Sequence, residues 1–107
     1  MTQFKDRGQA FESKFKREQE LDFKINARRN KLLGLWAAGH LGLDDGSAQA
    51  YAKEVIIADF EEPGDDDVMR KVLGDLLGKK SDTSEHLVRK EMERLRGIAR
   101  DQVMSEN

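Results

Sequence analysis

From Phe4 to Gly39 the chain reads as helix throughout, but its apolar face changes direction partway along. At about 100° per residue, Phe4, Phe11 and Phe15 fall within about 40° of one another, a narrow aromatic stripe of helical period. Leu21, Ile25, Leu32 and Trp36 form a second stripe, centred roughly 80° round the cylinder from the first. One helix does not easily lay both on one core, so the second stripe is assigned to the protein's interior and the first to something outside it. Gly8 weakens the front of this helix by about 1 kcal/mol relative to alanine, and an isolated helix of that kind is marginal without a partner.

Three more amphipathic segments follow. Ser47 is the expected N-cap of a helix running to Pro63, with Ala48, Tyr51, Ala52, Val55, Ile56 and Phe60 at spacings of three and four. Asp65, Asp66 and Asp67 supply a cap and favourable charge for the next, whose pairs Val68/Met69, Val72/Leu73 and Leu76/Leu77 recur every four residues; Gly78, Lys79 and Lys80 close it. The last begins near Asp82 with Glu85 completing a capping box, and buries Val88, Met92, Leu95, Ala99 and Val103, with Leu87 and Ile98 widening the stripe. The expected fold is all-α, a four-helix bundle-like single domain: residues 1–19 a mobile N-terminal arm, residues 20–107 the domain, with helices near 20–40, 47–62, 66–79 and 83–105.

Length and composition fit one modest core: 107 residues, 37% hydrophobic and 37% charged. Charge is unevenly placed. Residues 1–31 carry nine Lys/Arg against five Asp/Glu, a balance of +4, and the remainder a balance of −6. A basic arm on an acidic body points to an acidic partner surface, although solvation of ordinary helix faces would give the same counts. The chain has no cysteine, which suits a cytoplasmic home and removes thiol chemistry. No apolar run approaches the ~20 residues needed to span a bilayer, and Lys5, Asp6 and Arg7 are not followed by a secretory apolar run.

Catalytic motifs are missing, so no catalytic residue and no enzyme activity is expected. GDLLGKKS at Gly74–Ser81 is one residue short of a phosphate loop and follows a helix where such a loop needs a strand. The acidic run from Asp59 to Asp67 lacks calcium-loop spacing, and His40 and His86 are far apart, so no metal site is assigned. Cations beside the phenylalanines would suit nucleic acid, but Asp6, Glu12, Glu18, Glu20 and Asp22 are interspersed and count against phosphate binding. A helix entering a protein groove with spaced apolar anchors fits better. An alternative of another class is a regulatory module that binds adenine nucleotide weakly through Arg28, Arg29, Lys31, Trp36 and Tyr51; otherwise no cofactor is expected. Trp36 has a competing structural role as core.

The runs AFESKF, ARRNKLLGLWAAGHLG, YAKEVIIADFEEPGDDDV and KVLGDL resemble the small α-proteobacterial family that supplies the ζ subunit, an inhibitor, of the F-type ATP synthase. The resemblance spans essentially the whole chain. It implies a four-helix protein whose N-terminal segment, here Met1 to about Gln19, enters an interface between catalytic subunits and blocks rotation in the hydrolytic direction. That mode is similar to that of the mitochondrial ATPase inhibitor protein, on an unrelated fold. Joined to the stripe, it assigns Phe4, Phe11 and Phe15 to the cleft and Arg7, Lys14 and Arg17 to acidic groups around it. The protein would be monomeric when free and would work beside the inner membrane, on its cytoplasmic side, without entering the bilayer.

Overall fold

A computed structural model describes the backbone of residues 2–61 and 64–106, and side chains from Lys14 onward. Among the described residues there are four helices and no strand: α1 (Thr2–Leu41), α2 (Asp45–Ala58), α3 (Asp66–Gly78) and α4 (Glu85–Glu106). The all-α four-helix reading therefore stands. α1 is the axis of the molecule. It packs against each of the other three, whereas α2 and α4 lie on different sides of it and do not meet. Its 40 residues give the fold its 65 Å length.

The helices end where local chemistry stops them, not always where the sequence suggested. At the end of α1, Gly42 takes φ +72° and the Leu43 amide donates to the Ala38 carbonyl at 3.0 Å, a six-residue closure requiring a left-handed residue. Asp44, not Ser47, caps α2: its carboxylate accepts the Ser47 amide at 2.8 Å, which holds the acid below the usual carboxylate range. α2 stops at Ala58, so Phe60 leaves the helical phase and is exposed instead of joining the core. Asp65 precedes α3 but makes no side-chain cap. α3 ends at Gly78 as expected, but Gly78 does not take the left-handed turn that closes it. Lys80 does, at φ 58°, with the Ser81 amide reaching back to the Leu76 carbonyl at 3.0 Å. Ser84 caps α4 through the Leu87 amide, in place of Asp82.

Cover along α1 falls away in three stages. Around Leu33, Ala37 and Ala38 all four helices contribute to one core, with Tyr51 and Val55 from α2, Val68, Val72 and Leu76 from α3, and Val88, Met92 and Leu95 from α4. Here α1 and α2 approach so closely that a Cβ built on Gly34 would lie 2.6 Å from the Ala52 Cα. One stage earlier only α4 remains, and Ile25 packs on Ala99 and Val103 with Leu21 and Leu32 alongside. Earlier again, α1 runs past the end of α4, and Lys14 to Glu20 are all exposed.

Candidate partner-binding site

Past its contact with α4, the uncovered stretch of α1 returns to the azimuth of the four-helix core. Phe15 and Leu33 are separated by about five full turns, so they share one azimuth, and the same holds for Phe11 and Arg29. Arg29 and Leu33 are buried at 1% and 0% exposure. Phe15 is thus in phase with the face buried in the four-helix core but about 80° or more round from Leu21, Ile25 and Leu32, which pack on α4. Between the two levels Asp22, close to the azimuth of Phe15, is exposed. Leu21, Ile25, Leu32 and Trp36 mark one edge of the four-helix core face, and the first three make the contact with α4; Ile25 is buried, and the other three are partly covered. The centre runs Arg29, Leu33, Ala37, and a buried arginine hid it from a reading based on apolar periodicity.

What distinguishes Phe15 from Leu33 is neighbours. Phe15 is 57% exposed, because the helix that would cover it has ended. Lys14 and Arg17 flank it and are exposed as well. Phe4, Arg7 and Phe11 lie on the same helix, with side chains outside the described residues. Where the overhang meets the body, Arg17, Glu20, Leu21, Lys24 and Met104 border an open groove of about 540 Å³.

The nucleotide candidates are not gathered at one place. Arg28 reaches the end of α4, donating to Gln102 at 2.9 Å and to the Glu106 carboxylate at 2.8 Å. Arg29 points inward, donating through Nε to Asn30 Oδ1 and through Nη2 to Asp65 Oδ1, both at 2.8 Å. Lys31 is exposed. Tyr51 is buried and donates to Asp75 at 2.7 Å under the Lys71 ammonium; burial first, then that hydrogen bond, raises its phenol far above the ordinary value. Trp36 stands edge-on to His40, ring centroids 4.8 Å apart, on a cavity of about 480 Å³ that none of the other four residues lines.

Sequence reasoning missed the use of Asp65. Its hydrogen bond from Arg29 holds the carboxyl below the usual range against the effect of partial burial, with the charges of Arg96 and Arg89 adding to it. An ion pair from the middle of α1 therefore pins the connection between α2 and α3, and Asp65 is drawn away from capping. The only sequence signal was an arginine at a position where the buried phase calls for an apolar residue.

A family model described as ATPase inhibitor subunit zeta matches residues 1–102, the overhang included. The chain belongs to that family. Among solved structures, one determined by solution NMR is 54% identical to this zeta-family chain; the match covers 81% of this chain and 99% of that one, with a TM-score of 0.72. No curated protein matches. Membership makes this protein one of a family of ATPase inhibitors. Among the described residues no helix is long and apolar enough to cross a membrane.

Proposed function

We propose that this protein inhibits the F-type ATP synthase by inserting residues 1–19 as a helix between catalytic subunits of the soluble sector, where it obstructs rotation in the direction of ATP hydrolysis. The observation that carries the reading is Phe15: an exposed aromatic on a continuous helix, in phase with the core face and beyond everything that could cover it. A helix presenting anchors on one face and charges on the others suits a groove. Phe4, Phe11 and Phe15 enter the cleft, and Arg7, Lys14 and Arg17 meet acidic groups at its walls. Burying each phenylalanine contributes roughly 1.5 to 3 kcal/mol before ordering costs, so the charges are needed too, and affinity falls with salt.

No catalytic residue is required. An inserted helix is a wedge that must leave before the interface changes shape, so the block needs no chemistry. The protein acts as a monomer on the cytoplasmic side of the inner membrane, and neither nucleic acid nor a cofactor enters the mechanism. Hydrolysis by the cognate soluble ATPase, measured with full-length protein and with a form starting near Leu21, tests the reading. Full-length protein inhibits; the shortened form stays folded and does not. Phe11→Ala with Phe15→Ala lowers potency at an unchanged melting temperature. Equal inhibition by a folded shortened form overturns the proposal.

A further inference from the structure

A second apolar surface lies where the overhang joins the body. Phe23 on α1, Ile57 on α2 and Phe60 just beyond it are 59%, 62% and 66% exposed. The Phe23 and Phe60 rings tilt together with centroids 6.2 Å apart, so α1 and the turn after α2 present one aromatic patch. Scattered single apolar residues are ordinary on a surface, but a cluster of this kind marks an interaction site. Contact between the two rings leaves more than half of each in water, so mutual packing does not account for them.

We infer that Phe23, Ile57 and Phe60 form a second docking surface for the same ATPase sector, against an apolar spot ringed by basic groups beside the cleft that takes the arm. The inference rests on the wedge reading. Phe23 follows Phe15 by about 12 Å along one uninterrupted helix, so inserting that helix as far as Gln19 brings Phe23 to the rim of the cleft. Charge fixes the character of the contact. Glu20, one turn before Phe23, and Glu54, Asp59 and Glu61 around Ile57 and Phe60 outnumber the cations beside them, Lys24, Lys53 and the Lys71 that pairs with Glu54 at 3.7 Å. The arm is basic and the patch is acid-rimmed, so one partner answers both only if its cleft is acidic and the mouth of that cleft basic. The patch is already built on the folded body and adds affinity without the ordering cost that the arm carries.

The test uses the full-length chain and the cognate soluble ATPase. Phe23→Ser with Phe60→Ser is expected to weaken binding about tenfold or more, mainly through faster dissociation, while saturating protein still inhibits fully and the melting temperature holds. Glu61→Lys is expected to weaken binding at low salt and to match the parent at high salt. Should the double variant fold poorly, Phe60→Cys, the one thiol in a chain without cysteine, carries a short photo-crosslinker and is expected to label an ATPase subunit. Parent-like affinity of the double variant, or no crosslink from position 60, overturns the inference. So does a parent chain that sediments as a dimer and becomes monomeric on Phe60→Ser with ATPase binding unaltered, which would make the patch a contact between copies. Failure of the wedge is separate: there Phe11→Ala with Phe15→Ala leaves inhibition intact, whatever the patch variant does.

Discussion

Leu33 and Phe15 occupy the same side of the same helix, about five turns apart, and one is completely buried while the other is more than half in water. The helix does not turn between them; its surroundings end. Around Leu33 three helices close over α1, around Ile25 one does, and around Phe15 none. Amphipathic pattern alone therefore does not separate core from recognition surface. What separates them is whether another element is there to meet the face.

The comparison makes its largest demand on stability. Leu33→Ala opens a cavity in the four-helix core and is expected to cost about 3 to 4 kcal/mol, whereas Phe15→Ala should stay within about 0.5 kcal/mol. Denaturant melts of the two variants decide it. A comparable loss at both positions would mean that Phe15 is core after all.

Gly34 is the next most sensitive position. An alanine methyl would meet backbone at the Ala52 Cα, 2.6 Å away, so α1 and α2 must separate. Overpacking costs about 1 to 3 kcal/mol and removing a helix glycine returns up to about 1. Gly34→Ala is thus expected to destabilise by about 2 kcal/mol, read from the denaturant midpoint. Gly39→Ala meets nothing within 4 Å and should stabilise slightly.

Much of this division was legible in sequence, and the parts that were not have particular causes. The four helices, the buried stripe of α4 and the exposure of Phe15 all follow from spacing, because each rests on one face of a regular helix. Leu21, Ile25 and Leu32 do pack on α4 as their spacing implies, whereas the face that α1 buries in the four-helix core was not legible because Arg29 sits at its centre. No hydrophobic period anticipates a guanidinium there, since its cost is met by Asp65, which is distant in sequence. Phe60 was misplaced because α2 ends at Ala58, before the proline that seemed to stop it. The closure at Lys80 carries no glycine signal, and Gly34 was passed over because a close helix contact leaves no mark in one strand of sequence.

The Arg29–Asp65 pair gives a smaller effect with a distinctive pH signature. Asp65 has a lower carboxyl pKa in the fold than in the unfolded chain, so its contribution is present above about pH 4, the unfolded value, and is lost as pH falls through the folded one. Asp65→Asn keeps an acceptor for Arg29 but removes the charge. It is expected to cost about 1 kcal/mol at neutral pH, at the low end for a charged hydrogen bond because the carboxylate is half solvated. The gap between variant and parent should narrow on acidification below pH 4 in chemical denaturation series. A gap that widens there would have the wrong sign for this pair.

Lys80→Gly is the smallest change and the sharpest on the division of labour along α1. Lys80 holds φ 58°, which an L side chain resists by about 1 kcal/mol, and glycine adopts it without strain. Part of the gain is returned as chain entropy in the unfolded state, so the body should gain up to about 1 kcal/mol. The position belongs to the closure of α3, far from the overhang, and its exposed side chain leaves the core packing unchanged. If the front of α1 lies outside the cooperative unit, a more stable body leaves the wedge as it was, and inhibitory potency per folded molecule is unaltered. If potency rises with the melting temperature instead, the arm's readiness to insert is coupled to the bundle, and the two halves of α1 are one element in function as they are in backbone.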